Sequence, residues 1–290
     1  MIDLHLHTTA SDGRCTPEEL VNRACSRGIR TLSVTDHDTM AGVVPAAAAA
    51  RELGLTLVPG IEITSVHGGR DVHVLAYFLE HLSEELERLL ADQRKNRIAR
   101  AQLIAERLAA AGAPIDVDAL MEAATALGGK SIARPQIAQA LIAAGHVSTV
   151  AEAFDRFLSE DGPAYVPHQG AAPAMVVEMI GRAGGVASLA HPGYTKKDEI
   201  IPDLVAAGLT AIEAYHSSHD PEATRRYLSL AHHYGLAVTG GSDFHGENTR
   251  RSAFFGVTNL PRAEFDRFVR QSTRVRETAA HRVALASGSA

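Results

Sequence analysis

The chain opens with Met1–Gly13, MIDLHLHTTASDG, in which acidic and imidazole side chains alternate with apolar ones. Asp3, His5 and His7 are two residues apart, so on a β-strand they project from the same face. The polar turn TTASDG can then bring Asp12 back toward the two histidines. Two imidazoles and a carboxylate converging from one short segment are typical ligands of a divalent metal ion. An edge strand with a solvated histidine face is the alternative explanation.

The overall composition narrows the class of protein. With 290 residues, 46% of them hydrophobic, the chain can form one large α/β domain or one domain with an insertion. A net charge of -6 argues against a surface that binds nucleic acid without regard to sequence. Two cysteines, no signal-peptide pattern at the start and no apolar run approaching about 18 residues predict a cytoplasmic protein. Fifteen histidines in a chain without tryptophan favour a metal site.

Short apolar runs alternate with helical patterns in the first part of the chain: IDLHLH, TPEELVNRACSRG, IRTLSVTDHD, AGVVPAAAAARELG and LTLVPGIEIT. This alternation predicts parallel strands joined by right-handed helical crossovers. Thr16, Pro17 and Glu19 have the spacing of a helix capping box. The rhythm changes at GIEITSVHGGRDVHVLAYF, where a glycine turn predicts a β-hairpin. Both registers of that hairpin place Glu62 and His73 on one face.

The domain organisation follows from a change of pattern in the middle of the chain. From residue 82 to 165 the sequence is helical throughout and includes the long amphipathic stretch LSEELERLLADQRKNRIARAQLIAERLAAAG. The α/β rhythm then resumes. We therefore predict one α/β domain made of residues 1–81 and 166–278. An inserted helical subdomain at 82–165 would cap the substrate site, and a flexible tail would occupy 279–290.

Nearly every apolar run after the first ends in a titratable residue. The carboxyl ends of parallel strands share one rim of a barrel, where such folds carry their active sites. A single strand-end histidine more often serves structure, and Asp38 is best explained as a helix-capping residue. So many buried polar groups together, however, would be costly without bound cations. The strand-end residues are Asp36, His37, Asp38, Glu62, His191, Glu213, His216, His219, Asp243 and His245.

Six of these segments together resemble a known family. HLHTTASDG, TDHDT, GIEIT, LAHPG, GSDFHG and the strand of His73 resemble the PHP (polymerase and histidinol phosphatase) family of the amidohydrolase superfamily. The resemblance implies a distorted, TIM-like (β/α)7 barrel with up to three divalent metal ions, manganese first and zinc or iron as alternatives. The ligands it implies are His5, His7, Glu62 and Asp243 at one metal, Glu62, His73 and His191 at a second, and Asp12, His37 and His245 at a third.

The ligand types indicate the chemistry. Mixed imidazole and carboxylate shells suit manganese, iron or zinc better than calcium or magnesium. Two cations bridged by a carboxylate can hold a hydroxide that attacks a phosphoryl group in line, while the cations neutralise the developing charge. The sequence contains neither a GxSxG motif nor a P-loop. We therefore expect phosphate-ester hydrolysis with a metal-bound hydroxide as the nucleophile.

The helical insertion bears on the substrate. Its segment GGKSIARPQIAQAL places Lys130 and Arg134 before a helix begun by proline, an arrangement typical of an anion site. Solvated surface charge is the alternative. The insertion resembles the PHP branch that contains bacterial 3',5'-nucleotide bisphosphate phosphatases. That resemblance implies removal of the 3'-phosphate from adenosine 3',5'-bisphosphate, leaving AMP, with Lys130 and Arg134 on the other phosphate. His216 is the candidate for a further phosphate contact or for the proton donor.

Three other functions stay open at this point. A histidinol-phosphate phosphatase would need a carboxylate opposite the metals. A 5'-to-3' exoribonuclease on short 5'-phosphorylated RNA would need stacking aromatic residues and a basic track. A non-catalytic module is disfavoured because every implied ligand position holds the expected residue type. The expected partner is thus a small nucleotide or a short RNA, and we expect neither membrane association nor a stable protein partner.

Overall fold

The computed structural model describes the backbone of residues 1–126, 134–247, 249 and 251–287. The chain divides into two compact units. The first comprises Met1–His67, Asp71–Leu89 and Ala171–Ala290, and the second comprises Gly68–Arg70 and Leu90–Gly170. The second unit therefore corresponds to the predicted insertion but begins and ends later than 82–165, and it includes the tip of the hairpin.

The described strands form two sheets. In the first sheet β1, β2 and β3 are parallel neighbours, and in the second the order is β4-β5-β6-β7-β8, with β5 antiparallel to β6. Isolated bridges at Leu6–Phe244 and His37–Glu62 join the two sheets. The mixed α/β fold is thereby confirmed, and closure into a seven-stranded barrel stays a prediction. The strands are β1 (Ile2–Leu6), β2 (Thr31–Val34), β3 (Thr56–Leu57), β4 (Gly60–His67), β5 (Arg70–Tyr77), β6 (Val186–Leu189), β7 (Ala211–His216) and β8 (Ala237–Gly241).

Eleven α-helices lie in the part of the chain that the structure describes. None of those helices is both long and apolar enough to cross a membrane. The helices are α1 (Pro17–Ser26), α2 (Val43–Glu52), α3 (Glu84–Ala110), α4 (Val117–Ala126), α5 (Arg134–Ala143), α6 (Val150–Ala153), α7 (Pro173–Arg182), α8 (Pro192–Thr195), α9 (Ile201–Ala206), α10 (Pro221–His233) and α11 (Arg262–Ser287).

The start of α1 agrees with the sequence analysis, whereas the end of α11 differs from it. At α1 the capping box is confirmed, because Thr16 Oγ1 accepts from the backbone N–H of Glu19 at 3.2 Å and the Glu19 carboxylate accepts from the N–H of Thr16 at 2.9 Å. At the other end of the chain, α11 continues to Ser287. The flexible tail predicted from residue 279 therefore starts inside this helix. Its alanine, arginine and leucine residues have high helix propensity.

Each unit has its own apolar core. In the first unit, side chains of β1, β2, α1 and α2 pack with Phe244 and Phe255, which are stacked with ring centroids 4.2 Å apart. In the second unit, α3 contributes Ile104 and Leu108 to a cluster that includes Leu141 from α5. Burial of these apolar faces stabilises each unit. The first unit contains the strand ends that carry the titratable residues.

Candidate metal centre

The carboxylate of Glu62, on β4, lies at the centre of a cluster of histidine rings. Glu62 is 1% exposed. Its position opposite His73 confirms the predicted hairpin face. Five ring nitrogens from four segments approach its two oxygens: Oε2 lies 3.2 Å from His5 Nε2, His7 Nε2 and His37 Nδ1, and Oε1 lies 2.8 Å from His73 Nδ1 and 2.9 Å from His191 Nε2.

Asp243 supplies a second carboxylate from the end of β8. Its Oδ1 lies 3.2 Å from His7 Nε2, 3.5 Å from His5 Nε2 and 3.4 Å from His245 Nδ1. The backbone N–H of Asp243 donates to the carbonyl of His5 at 2.8 Å, which aligns β8 with β1. Asp243 has a left-handed backbone with φ 54°, and His191 has φ 27°. Such conformations are uncommon for residues other than glycine and are a feature of functional sites.

The turn after β1 brings Asp12 back to the cluster, as predicted. Asp12 Oδ1 lies 3.2 Å from His245 Nε2 and 3.7 Å from His7 Nδ1, and Oδ2 lies 3.9 Å from His37 Nε2. Asp36, at the end of β2, holds this turn in place, because its carboxylate accepts from the backbone N–H of Thr8 at 2.7 Å and from the Ser11 hydroxyl at 2.6 Å.

The structure thus brings all nine implied ligand residues together around Glu62, and their role as ligands stays a prediction. Overlapping groups present donor atoms that lie within 4.8 Å of one another. The group His5, His7, Glu62 and Asp243 matches the set implied for the first metal. The other groups are His7, Asp12, His37 and His245; His37, Glu62 and His73; and His5, Glu213 and His216.

Buried polar atoms that make no hydrogen bond test whether this cluster fits a metal ion. Both ring nitrogens of His7, Nδ1 of His37 and Oδ1 of Asp243 are buried and make no hydrogen bond within the described residues. Buried polar atoms without partners are unfavourable. Nitrogen and carboxylate oxygen atoms that face a common point are, in contrast, a normal coordination shell for a divalent transition metal. The residues therefore fit a divalent metal ion.

The protonation states of His7 and His191 suit metal binding, whereas the ring of His5 would have to lose a proton at pH 7 to bind a metal. Burial lowers the pKa of His7 to about 4 and that of His191 to about 3, so both rings are neutral at pH 7, the form that binds metal. Burial alone would raise the pKa of Glu62, but the surrounding imidazoles hold it well below its usual value. For His5, burial is outweighed by the carboxylates of Glu213 and Glu62, which raise its pKa to about 10.

Two further carboxylates, those of Glu213 and Asp3, hydrogen-bond to segments that carry the candidate ligands. The Nδ1 of His5 lies 3.0 Å from Glu213 Oε1, and the backbone N–H of His191 donates to Glu213 Oε2 at 2.8 Å. Asp3 accepts from the backbone N–H of Ser242 at 2.9 Å and from its hydroxyl at 2.6 Å. Glu213 and Asp3 thereby fix the strands that carry the candidate ligands.

The interpretation of Asp38 as a helix cap is wrong. The N-cap of α2 is Gly42, which makes no side-chain capping hydrogen bond. Asp38 instead accepts from the backbone N–H of Thr64 at 2.8 Å, and its own N–H donates to the carbonyl of Glu62 at 2.9 Å. The sequence suggested a cap because Asp38 stands just before a helix, whereas the residue actually connects the end of β2 to β4.

The candidate substrate residues lie in different places. His216 is buried against Asp243, with its Nε2 3.2 Å from Oδ2, and burial lowers its pKa to about 3. Arg134, in the second unit, donates to the carbonyl of Leu158 at 3.4 Å and lies 5.8 Å from the ring centroids of Phe154 and Tyr165. Lys130 lies outside the described residues. The roles of all three stay predictions.

Sequence reasoning missed Arg251. Its guanidinium is 16% exposed and hydrogen-bonds through Nη1 to Oδ2 of Asp243. No motif marks this arginine, because it reaches the cluster from the loop after β8 and not from a strand end. Its position a few residues after GSDFHG is the one sequence feature that could have suggested it.

Gly241, the last residue of β8, permits a close approach to β1. A Cβ there would overlap the backbone nitrogen and Cβ of His5 and lie 2.8 Å from Asp3 Oδ1. We expect Gly241→Ala to lower the free energy of unfolding by about 1–3 kcal/mol and to reduce the metal content, because His5 is displaced. Gly181→Ala is the matched control, since a Cβ there meets nothing within 4 Å. Urea unfolding and metal analysis measure both effects; equal behaviour of the two variants would contradict the packing argument.

Comparisons with known proteins identify relatives of this chain. The family model described as the PHP domain matches residues 3–105. A solved structure from Bifidobacterium adolescentis, described as a metal-dependent phosphoesterase, superposes with a TM-score of 0.83 at 33% identity, covering 93% of this chain and 95% of that one. The fold and the cluster therefore define a metal-dependent phosphoesterase.

Three relatives have similar sequence identity to this chain but different names. The 5'-3' exoribonuclease Rnm of Escherichia coli is 36% identical over 250 residues, 84% of each chain. The 3',5'-nucleoside bisphosphate phosphatase of Chromobacterium violaceum is 34% identical over 256 residues, 86% of this chain and 89% of that one. The phosphoribosyl 1,2-cyclic phosphate 1,2-diphosphodiesterase of Eggerthella lenta is 34% identical over 253 residues, 84% of this chain and 94% of that one. The chain belongs to the PHP family.

Proposed function

We propose that the protein removes the 3'-phosphate from nucleoside 3',5'-bisphosphates, for example converting adenosine 3',5'-bisphosphate to AMP and phosphate. Two of the donor groups share Glu62, and this shared carboxylate is the observation that carries the proposal. A carboxylate with imidazole nitrogens near both oxygens suits two adjacent cations, the arrangement used for phosphoryl transfer to water. The bisphosphate phosphatase of C. violaceum, similar along most of its length, supports the choice of substrate.

Divalent cations bound at this cluster, manganese first and zinc or iron as alternatives, supply water activation and neutralise charge on the phosphoryl group. The chain's own residues would hold up to three such ions in the ligand sets given above. Neutral His7 and His191 need not lose a proton to serve as ligands at pH 7. We assign His216 to a phosphate contact or to protonation of the leaving 3'-oxygen, because its ring lies against Asp243 inside the cluster.

Lys130 and Arg134 are proposed to bind the second phosphate of the substrate. A guanidinium forms paired hydrogen bonds with phosphate oxygens, and Arg134 begins α5, where the helix N-terminus adds favourable polarity for an anion. The rings of Phe154 and Tyr165 beside Arg134 restrict its side chain. We call this pair, Lys130 and Arg134, the anchor.

A 5'-to-3' exoribonuclease is the second candidate. The E. coli relative of that name is as similar as the phosphatase, with 36% identity over 84% of each chain. The two reactions break the same kind of bond, since both attack a phosphorus atom attached to a 3'-oxygen. They differ in whether the phosphate carries a further nucleotide.

The decisive experiment measures hydrolysis by the manganese-loaded protein. The substrates are adenosine 3',5'-bisphosphate, adenosine 2',5'-bisphosphate, AMP, histidinol phosphate, a phosphoribosyl 1,2-cyclic phosphate and a short 5'-phosphorylated RNA. We expect rapid release of phosphate from the 3',5'-bisphosphate. Faster turnover of the RNA would instead establish the exoribonuclease, and turnover of histidinol phosphate or the cyclic phosphate alone would contradict both candidates.

The anchor is tested with Arg134→Ala. Loss of a charged hydrogen bond to phosphate typically weakens binding by about 1.5–3 kcal/mol, or roughly 10- to 100-fold. We expect KM for the 3',5'-bisphosphate to rise by that factor while the metal content is unchanged. Arg88→Ala is the control, because Arg88 is an exposed arginine (75%) at the start of α3. Equal KM values for the two variants would refute the anchor.

A further inference from the structure

Arg251 is a cation that the ligand sets and the proposed anchor leave unused. It stands just before the short helical turn Ser252–Phe254. The neighbouring backbone is held by local hydrogen bonds, from the Thr249 hydroxyl to the carbonyl of Gly246 at 2.9 Å and from the Ser252 hydroxyl to the carbonyl of Thr249 at 2.9 Å. Described residues on both sides of Arg251, Thr249 and Ser252, are thus held by local hydrogen bonds.

The two carboxylate oxygens of Asp243 have different neighbours. Its Oδ1 faces the ring nitrogens of His5 and His7, whereas its Oδ2 accepts from Arg251 and lies 3.2 Å from His216 Nε2. Arg251 therefore approaches the cluster from the side that the first donor group does not use. A metal at that group and the guanidinium can be present together.

Among the residues that the structure describes, few partners use the hydrogen-bonding capacity of Arg251. A guanidinium has five N–H donors. Within the described residues its side chain makes one hydrogen bond, to Asp243. Glu62, Glu213, Asp12 and Tyr194 interact with the guanidinium electrostatically. Tyr194 is 59% exposed and its ring lies 6.0 Å from that of His191, so this side of the cluster borders solvent.

The charge balance favours an anion at this point. Four carboxylates contact ring nitrogens of the cluster, those of Asp12, Glu62, Glu213 and Asp243. Two divalent cations would balance those four negative charges and a third would exceed them, so with the guanidinium the site would be net positive in either case. A partly buried arginine beside such a site suits a ligand that brings its own negative charge and several acceptor oxygens.

We propose that Arg251 is a catalytic residue that binds the phosphoryl oxygens of the substrate while its Nη1 remains on Asp243. The inference rests on the proposed function in that the reacting group is a phosphate. A guanidinium that binds those oxygens lowers the barrier when negative charge develops on the phosphoryl group. The alternative is that Arg251 acts only on Asp243, as a positioning residue for the metal.

Binding of inorganic phosphate to the manganese-loaded protein tests this role without turnover. The variants are Arg251→Gln and Arg251→Lys, and Arg262→Gln, an exposed arginine on α11 (76%), is the control. We expect Arg251→Gln to bind phosphate at least about tenfold more weakly by calorimetry. Its manganese content per chain should equal that of the unmodified protein. The phosphate affinity of Arg251→Lys should lie between those of Arg251→Gln and the unmodified protein, because lysine keeps the charge and loses the planar donor pair.

Two results would overturn the inference. Unchanged phosphate affinity in Arg251→Gln would show that Arg251 does not bind the phosphoryl oxygens. Loss of manganese from both Arg251 variants would assign the arginine to positioning Asp243. Failure of the proposed function is visible separately, because the unmodified protein would then bind inorganic phosphate in an Arg251-dependent manner yet release none from the nucleoside bisphosphate.

Discussion

Glu62→Gln is expected to reduce phosphoesterase activity by at least about a thousandfold, roughly 4 kcal/mol in transition-state stabilisation. The reason is the position of this carboxylate, which lies 2.8–3.2 Å from nitrogen atoms of five histidines. Glutamine has nearly the same size but lacks the negative charge, and it presents N–H donors where a cation should bind. Metal analysis should therefore show fewer ions per chain.

The same substitution should also destabilise the metal-free protein. Removing one partner of a buried ionic cluster typically costs about 3–5 kcal/mol, and His5 would lose one of the two carboxylates that raise its pKa. Glu52→Gln is the matched control, since Glu52 is an exposed residue of α2. Urea unfolding, metal content and activity are measured for both variants. A Glu62→Gln protein with full metal content and activity would show that the cluster is not the metal centre.

Loading with manganese is expected to raise the melting temperature strongly. A ligand that binds only the folded state stabilises it by about 2.7 kcal/mol at 100 times its Kd for each independent site. For a protein of this size, each kcal/mol corresponds to about 2–4 °C. One site should thus raise Tm by at least about 5 °C, and two sites by about twice as much. The buried atoms of His7 and Asp243 that lack hydrogen bonds among the described residues gain partners when metal binds.

Thermal unfolding followed by circular dichroism, with and without manganese and then with excess chelator, measures this shift. Calcium provides the control, because a site rich in imidazole nitrogen disfavours it. His7→Ala should lose most of the manganese effect. An equal rise with calcium, or a full rise in His7→Ala, would mean that the stabilising ions bind elsewhere.

Much of the candidate site follows from local rules. The two-residue spacing at β1 and just after it predicts that His5 and His7 share a face, and both registers of the hairpin predict that Glu62 and His73 share one. The carboxyl ends of β6 and β8 similarly bring His191 and Asp243 to the same rim. Short-range periodicity and strand direction are enough in these cases, because each residue lies on, or directly after, a regular element.

Other features depend on contacts between distant segments. Arg251 reaches Asp243 through an irregular loop, and no periodic pattern describes such a path. Glu213 was visible as a strand-end residue, but its role as a brace depends on the turn of His191, whose N–H it accepts. Asp38 illustrates the opposite error, since a local helix-capping rule was applied where the contact to Thr64 decides the conformation.

The left-handed backbone at Asp243 restricts how this centre can evolve. Aspartate and asparagine tolerate a φ of 54° better than most other residues, and a longer or branched side chain at that position would add backbone strain. His5, by contrast, lies on an ordinary strand. Exchanges that adapt the protein to another metal are therefore more accessible on β1 than at the end of β8. Lineages that change their metal preference should diversify at the histidine of β1 and retain the aspartate.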